Sequence, residues 1–326
     1  MKRLTLPLLL FVLVAGAIAS LFVGSTSLDG EAVISAMLSG SATSLDQAIV
    51  FEVRLPRVLL AILVGAGVAT AGAAIQGIFR NPLADPALIG VSSGAALFAA
   101  GAIVLGAGGI IPVSLAAFLG GLLATGLVLE IGRHGGNLSS MLLAGIAINA
   151  IALAGVGIFT YLSDDLLLRS VSFWALGSLN GADWHSVAAA ACIPAVILMF
   201  YLESRRLNVI TLGDAEALHL GVSVSALRLR IVIYTALVVG VAVSVAGVIA
   251  FVGLVVPHLV RLSVGSNHRV VMPGAALLGA ILLLLADGIG RTIIAPAELP
   301  VGIITALVGG PFFIYLIVSH KGKLGI

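Results

Sequence analysis

The stretch from Ile231 to Pro257, IVIYTALVVGVAVSVAGVIAFVGLVVP, decides how many times this chain crosses a membrane. It carries no charge and is bounded by Arg230 and Arg261. A bilayer core takes about 20 apolar residues per helix, so one long helix would place the two arginines on opposite sides. Basic loops face the cytoplasm, and both arginines lie inside only if the run crosses twice. We therefore predict a break near Gly247 or Gly253.

Eight further apolar runs indicate a multi-pass membrane protein. They lie near residues 6–24, 55–78, 87–107, 111–131, 141–161, 186–202, 271–287 and 301–318. The short loops with basic residues are predicted to be cytoplasmic; they hold Lys2 and Arg3, Arg80, Arg133, the stretch from Arg205 to Arg230, Arg261 with Arg269, and Lys321 with Lys323. The acidic loops 25–53 and 162–185 are predicted to lie outside. With the divided run, we predict an all-α fold of ten transmembrane helices with both termini in the cytoplasm.

The composition excludes most other classes of protein. Of 326 residues, 60% are hydrophobic and 9% are charged, and the mean hydropathy is +1.24, whereas soluble proteins carry about 25% charged residues. The 16 basic and 14 acidic residues leave a net charge of +2, which indicates neither a nucleic-acid partner nor disorder. Cys192 is the single cysteine, so we expect no disulfide and no metal site. The 40 glycines favour helices packed closely through small residues.

The first apolar run has two interpretations. Lys2 and Arg3 before it, and Ala17-Ile18-Ala19 near its end, match the layout of a cleavable signal peptide. The run is longer than the ~7–15 apolar residues of a signal-peptide core. We therefore predict a retained membrane helix.

The sequence carries a weak internal repeat. An offset of 175 residues aligns Gly65 with Gly240, Ala71-Gly72 with Ala246-Gly247, Pro82 with Pro257, and Gly90 with Gly265. Chance is the alternative, because glycine and alanine are common here, and the proline pair is the most informative match. The units would begin at spans two and seven, an odd number of crossings apart. Such units are inverted, which is typical of transporters.

The spans contain little chemistry of their own. Ion-driven transporters carry ionisable side chains at membrane depth, but Glu130, Asp287 and Arg291 fall at predicted helix ends. No lysine stands in a G-K-[ST] phosphate loop, so the chain is not its own ATPase. Residues 90–94, GVSSG, match the G-x-S-x-G pattern of serine hydrolases, but no strand precedes them and no histidine base is predicted in reach. A secondary transporter and an intramembrane serine hydrolase built on Ser92 are the less favoured alternatives.

Several collinear motifs resemble one known family. The longest is QGIFRNPLADPALIGVSSGA at 76–95, and it is accompanied by RLPR at 54–57, LGDAEALHLG at 212–221, GLVVPH at 253–258, NHR at 267–269 and the segment 285–302. Together they resemble the FecCD/BtuC-type permease subunits of ATP-binding-cassette importers. These importers carry iron-siderophore complexes, heme or cobalamin across bacterial inner membranes.

The resemblance implies a complete importer around this chain. It implies one permease domain over residues 1–326 with the ten-helix fold of type II importers, located in the bacterial inner membrane. It also implies a homodimer with the cargo pathway on its two-fold axis. Two cytoplasmic subunits would hydrolyse ATP with Mg²⁺, so the chain itself would bind no cofactor and would not be an enzyme. A periplasmic substrate-binding protein would deliver the cargo.

Matching motifs also imply site residues. Arg54, Arg57 and Arg291, at the outer ends of spans two and nine, are expected to pair with glutamates of the binding protein; snorkelling arginines that fix helix depth are the alternative. A loop at about 203–230 would hold the coupling helix that contacts the ATPase, with Leu212, Gly213, Asp214, Glu216, Ala217, Leu220 and Gly221. The cytoplasmic gates would be Asn81 with Leu83, and Ser139 with Ser140. From the residues alone, Asn81-Pro82 predicts a turn and Ser139 a helix N-cap.

The cargo is the least constrained inference. The segment from Leu168 to Leu179 places Arg169 before the pair Phe173-Trp174, as in heme-type members, and an arginine can pair with a heme propionate. An alternative role for Arg169 is to balance neighbouring aspartates. Arg169 and the amide Gln76 are the candidate residues of the cargo pathway. We favour heme, with a ferric siderophore second and cobalamin third.

Overall fold

The computed structural model describes residues 4–24, 30–39, 44–106, 109–134 and 138–319, and the regular elements in these ranges are all helical. Lys2, Arg3, Lys321 and Lys323, which support the predicted topology, lie outside the described residues.

The N-terminal half forms seven α-helices within the described ranges. They are α1 (Thr5–Phe22), α2 (Gly30–Ser39), α3 (Leu45–Ala48), α4 (Leu55–Phe79), α5 (Val91–Val104), α6 (Ile110–His134) and α7 (Leu138–Leu162). A π-helical stretch, Ile49–Arg54, joins α3 to α4, and a short 3-10 helix, Pro86–Ile89, precedes α5. Pro56 lies in the first turn of α4, directly after the π-helical stretch.

The C-terminal half forms eight more α-helices in the described part of the chain. They are α8 (Asp165–Ala175), α9 (Trp184–Ala190), α10 (Ile193–Ile210), α11 (Asp214–His219), α12 (Val224–Ala246), α13 (Val252–Val264), α14 (His268–Thr292) and α15 (Val301–Ser319). Asp164 and Asp183 cap α8 and α9, since their carboxylates accept hydrogen bonds from backbone N–H groups of the first turn.

The long apolar run is divided where the charges require it. α12 ends at Ala246, and Gly247 has a φ of 68°, which a residue with a Cβ rarely adopts. A Cβ added at Gly247 would lie 2.3 Å from the carbonyl oxygen of Trp174, so backbone packing also requires glycine there. The predicted break is therefore confirmed at Gly247, whereas Gly253 lies inside α13.

The helices account for the predicted spans to different degrees. Among the described residues, seven helical segments are long and apolar enough to cross a bilayer, and three shorter apolar helices lie at Val91–Val104, Val252–Val264 and Val301–Tyr315. These ten segments follow the order of the predicted spans. The short α5 was expected to fill residues 87–107 but begins only at Val91, because residues 86–89 form the 3-10 helix. Ten crossings remain a prediction.

An internal repeat is visible in the order of the helices. A long, a short and a long helix followed by a fourth occur as α4 to α7 and again as α12 to α15. The first helix of each set packs most extensively on the third helix of the other, α4 on α14 and α12 on α6. The residue offset of 175 is wrong, because Pro82 lies in the turn after α4 while Pro257 lies inside α13.

Helix α4 forms the centre of the fold. It is buried along nearly its whole length and packs against α10, α12, α13 and α14. Its glycines permit this close approach: a Cβ at Gly65 would lie 2.4 Å from the carbonyl oxygen of Gly279, and one at Gly72 would lie 1.9 Å from that of Gly253. Small residues therefore bring the backbones into contact, as the glycine content predicted.

Candidate functional site

Charged side chains meet where α4 begins and α14 ends. The Arg57 Nε donates to Asp287 Oδ1 at 2.9 Å and to Oδ2 at 3.2 Å, and the Arg57 Nη1 donates to Glu298 Oε2 at 2.8 Å. The Arg291 Nε lies 3.1 Å from Asp287 Oδ2. One aspartate is thus shared between two guanidinium groups.

Arginines of the same region hold the C-terminus of α1. The Arg54 Nη1 donates to the Leu21 carbonyl at 2.6 Å. The Arg291 Nη1 donates to the Val23 carbonyl at 2.8 Å, and its Nη2 donates to Ser20 Oγ at 2.5 Å. The last carbonyls of a helix lack intrahelical partners and attract cations. These bonds attach α1 to α4 and α14, and its retention as a membrane helix stays a prediction.

We name this set the α1 clamp: Arg54, Arg57, Asp287, Arg291 and Glu298. The three arginines are only 3%, 6% and 2% exposed. Each guanidinium has partners within the chain, and the expected pairing with glutamates of a binding protein stays a prediction. Sequence reasoning missed those partners since Arg57 and Asp287 are 230 residues apart. With three arginines and two carboxylates, the clamp carries one positive charge in excess.

The predicted coupling segment forms the short helix α11, which is attached to the neighbouring helices by ion pairs and a buried alanine. Asp214, at the start of α11, pairs with Arg228 at 2.8 Å and with Arg80 at 3.4 Å, and Ala217 is fully buried. Gly213 has a φ of 126°, a conformation open to glycine.

The outward side of this segment is partly apolar. Leu212, Leu218 and Leu220 are 63%, 62% and 61% exposed, and Glu216 and Gly221 are also exposed. Sequence reasoning missed Leu218, although an apolar residue two positions before Leu220 in this polar segment could have indicated it. Exposed leucines on and beside a short polar helix are suited to contact another protein.

The predicted gate residues lie at helix ends. The Asn81 Oδ1 accepts from the Leu83 N–H at 2.9 Å, so Asn81 does shape the turn that Asn-Pro predicts. α7 begins at Leu138, and Ser139 is therefore inside the first turn and is not the N-cap. Ser139 is exposed and Ser140 is half-buried. A gating role for these residues stays a prediction.

The two candidate pathway residues have different surroundings. Gln76 is buried; its Nε2 donates to the Leu254 carbonyl at 3.1 Å and its Oε1 accepts from the Arg261 Nη1. Arg169 is exposed on α8. Phe173 and Trp174 of the same helix line a cavity of about 700 Å³, and Arg169 is not among the described residues that line it.

The serine motif sits in helical surroundings. A 3-10 helix precedes Ser92, and Ser92 lies in the first turn of α5. The adjacent Ser93 Oγ donates to Asn149 Oδ1 at 2.5 Å. A nucleophile elbow requires a strand before the serine, so this geometry opposes the hydrolase alternative.

Comparison with known proteins decides the family. The profile of the FecCD transport family matches residues 11–319. The chain belongs to the FecCD transport family. The predicted resemblance is thereby confirmed.

The relatives of this FecCD-family chain cover most of its length. The hemin transport system permease protein HmuU of Yersinia pestis is 46% identical over 98% of this chain and 96% of its own. The vitamin B12 import system permease protein BtuC of Salmonella paratyphi A is 40% identical over 83% of each.

Solved structures agree with the fold. A structure described as an inward-facing conformation of a metal-chelate type ABC transporter aligns with a TM-score of 0.87 at 34% identity, covering 96% of this chain and 98% of that one. PsaBC from Streptococcus pneumoniae aligns with a TM-score of 0.58 at 17% identity, covering 87% and 95%, and supports the fold alone.

Family membership confirms the coarse functional predictions. The FecCD-family chain is a permease subunit of an ABC transporter, a transport component and not an enzyme. It is a multi-pass membrane protein that works in a complex with ATPase and binding-protein partners.

Proposed function

We propose that this chain is the membrane-spanning subunit of an ATP-driven importer that moves heme from a periplasmic binding protein into the cytoplasm. The observation that carries this cargo is the 46% identity to a hemin permease over 98% of the chain. The vitamin B12 permease matches less of the chain at lower identity, so cobalamin is a weaker candidate. The similarity to the metal-chelate type transporter structure makes a ferric siderophore the second candidate cargo.

The cavity of about 700 Å³ beside α8 supports a large apolar cargo. Leu167, Ser170, Phe173 and Trp174 project from one face of α8 into its volume of about 700 Å³, and ligand pockets for molecules of some size span ~300–1,000 Å³ with aromatic and apolar walls. We place Arg169 beside this cavity as a partner for a cargo carboxylate and Gln76 on the later part of the pathway.

The proposed orientation follows from the charges. Arg80, Arg133, Arg228 and Arg261 lie at helix ends that alternate with the ends carrying Asp164 and Asp183. Basic ends face the cytoplasm, so we propose an inner-membrane location with both termini inside. The α1 clamp then lies on the periplasmic side and α11 on the cytoplasmic side.

We propose that the α1 clamp orients the binding protein. Its arginines are buried, so its excess positive charge would act through the field at the surface and not through exposed ion pairs. Such charges chiefly raise association rates. Replacing the half-buried Glu298 with glutamine raises the excess charge, so Glu298→Gln is expected to speed association of the binding protein at low salt. Stopped-flow association rates at two salt concentrations measure this, and equal rates for both chains would contradict a docking role.

We also propose the remaining assembly. Two copies of this chain would form a homodimer, and each α11 would contact one of two cytoplasmic subunits that bind ATP and Mg²⁺. The exposed Leu212, Leu218, Leu220 and Glu216 are the contacts on this side, and Ala217 anchors the helix. Asn81 with Leu83 and Ser139 with Ser140 would close the cytoplasmic end.

Transport in liposomes tests the proposed function. The permease is reconstituted with its ATPase subunits and its binding protein, and ATP-dependent uptake of heme, a ferric siderophore and cobalamin is compared. Heme uptake is expected. Uptake of only another cargo would overturn heme but keep the permease assignment, and no ATP-dependent uptake of any of the three would overturn the assignment.

A coupling variant sharpens this test. Leu218→Asp with Leu220→Asp changes two exposed side chains and is expected to abolish uptake and the stimulation of ATP hydrolysis while the protein remains folded. Leu105→Asp is the matched control, because Leu105 is 79% exposed at the end of α5 and lies outside the coupling segment. Equal uptake by the double variant and the control would exclude α11 as the coupling contact.

A further inference from the structure

A second cavity lies between the end of α4, the end of α10 and the start of α14. Its volume is about 290 Å³, and polar side chains in its wall come from four separate segments: Arg80 with Asn81, Thr211, Arg261, and Ser266 with His268. No aspartate or glutamate is among the described residues that line it. The wall is therefore rich in hydrogen-bond donors and carries positive charge.

Arg261 brings an uncompensated charge to this cavity. Its Nη1 donates to the Gln76 Oε1, and its Nη2 lies 3.5 Å from the Ala73 carbonyl oxygen. Both partners are neutral, and no carboxylate among the described residues lies within ion-pair distance of Arg261. A half-buried guanidinium with only neutral partners favours an anion beside it.

Arg80 reaches the same cavity from an unusual backbone position. It follows α4 with a φ of 49°, in the left-handed region, where helices normally place glycine. Its Nη2 lies 3.4 Å from Asp214 Oδ1, and both side chains are about 40% exposed, so this pair is weak. An arginine is thus kept where glycine would fit the backbone better, and its remaining N–H groups stay accessible.

Asn81 supplies a neutral donor next to Arg80. Because its Oδ1 accepts from the Leu83 N–H, the amide Nδ2 is the group left for a ligand. Two guanidinium groups and an amide from two different segments match an oxyanion with several acceptor oxygens. A tetrahedral phosphate offers acceptors in all of these directions, whereas a planar carboxylate offers two in one plane.

We propose that this cavity binds a phosphate group, held by Arg80, Asn81 and Arg261. Inorganic phosphate and the headgroup of an anionic phospholipid share this chemistry. The proposal does not depend on the cargo of the transporter.

Binding to the full chain tests the site. The permease is purified in detergent, freed of lipid and titrated with inorganic phosphate by calorimetry, with acetate as the planar control. In a second arm, the permease is reconstituted in nanodiscs with and without phosphatidic acid. It is then released from them, and native mass spectrometry counts the lipid molecules that it retains. Binding in the first arm identifies free phosphate, and retention in the second without the first identifies the lipid.

Two variants assign the binding to these residues. Arg80→Gly relieves the left-handed backbone and is therefore safe for folding, and Arg261→Gln keeps a polar side chain. Each is expected to weaken binding by about tenfold or more, since charged hydrogen bonds are the strong ones. Arg133→Gln is the matched control, because the Arg133 side chain is 74% exposed and outside the cavity. The proposal is overturned if neither probe binds, if acetate binds as well as phosphate, or if both variants bind like the control.

Discussion

The two ends of α4 use arginine in opposite ways. At its start, Arg57 is buried against Asp287 and Glu298 at 2.8 to 2.9 Å. At its end, Arg80 is 42% exposed by side chain, and its carboxylate partner Asp214 lies at 3.4 Å. Both arginines stand in motifs of the same family resemblance, so the motif alone does not tell a structural arginine from an accessible one.

The two arginines differ in what the loss of their carboxylate partner would cost. Removing a partner from a buried charge is costly because the other charge cannot return to water, whereas an exposed pair is worth about 0–1 kcal/mol. The α1 clamp is therefore expected to hold the fold together, and the arginines near the end of α4 are free to meet a ligand.

Asp287→Asn would break the α1 clamp most severely. It leaves Arg57 and Arg291 buried without their shared carboxylate, so we expect unfolding to become easier by about 3–5 kcal/mol. Thermal unfolding in detergent measures this. Glu298→Gln is the comparison variant, and its loss is expected to be smaller, because Glu298 contacts only Arg57 in the clamp and is partly exposed. Equal stability of Asp287→Asn and the unmodified chain would show that the clamp does not hold the fold.

The sequence predicted more of the fold than of this clamp. Two charges, on Arg230 and Arg261, sufficed to divide the apolar run. The thickness of the bilayer limits the length of a spanning helix, and basic loops face the cytoplasm. The burial of Arg54, Arg57 and Arg291 could not be predicted, since it depends on α1 and α14 packing beside α4, a long-range choice that no local pattern records.

Local rules also failed at two turns. Arg80 in a left-handed position breaks the usual preference for glycine, so no local pattern predicts its backbone conformation. The offset of 175 residues aligned prolines that lie in a turn and in a helix, because the connection after the first helix is longer in the first repeat (80–90) than in the second (247–251). The short helix α11 was predictable, since its polar residues interrupt an otherwise apolar chain.

Gly72→Ala tests the middle of α4, between the two ends. The added Cβ would lie 1.9 Å from the Gly253 carbonyl oxygen, and backbone cannot move aside as a side chain can. We expect a loss of about 1–3 kcal/mol, seen as a lower unfolding temperature. Gly126→Ala is the matched control: nothing lies within 4 Å of its added Cβ, so better helix propensity should raise stability by about 0.5–1 kcal/mol. Equal behaviour of the two variants would mean that α4 does not need close backbone contact with α13.

Asp183 offers a contrasting carboxylate, because it caps a helix and pairs with no arginine among the described residues. Its Oδ1 accepts from the Ser186 N–H at 2.8 Å and from the Ser186 hydroxyl at 2.6 Å, and the bond from that hydroxyl is the main cause that lowers the pKa of Asp183. Asp183→Ala is expected to cost about 0.5–2 kcal/mol, less than Asp287→Asn.

This cost should depend on pH in a defined direction. A carboxylate whose pKa is lowered by folding contributes its full stabilisation above its unfolded pKa of about 3.9, and the contribution is lost as the pH falls through the lower folded value. Unfolding measured at pH 7 and at successively lower pH should therefore show the two chains converging in acid. A difference that stays constant with pH would mean that the ionised carboxylate is not the cap.

Arg80→Gly should have the smallest effect and the opposite sign. Glycine relieves the left-handed backbone, which costs other residues about 1–2 kcal/mol, while the lost pair with Asp214 is worth less than that, so we expect a gain of about 1 kcal/mol in thermal unfolding. Phe251 is the matched case, with a φ of 67°. Its side chain packs closely on Gly309, because a Cβ added at Gly309 would lie 2.4 Å from the Phe251 Cβ. Phe251→Gly gains the same backbone freedom and loses that packing, so it should destabilise the chain. If Arg80→Gly destabilised the chain as much as Phe251→Gly, the Arg80 side chain would be part of the fold, and the two ends of α4 would not differ in kind.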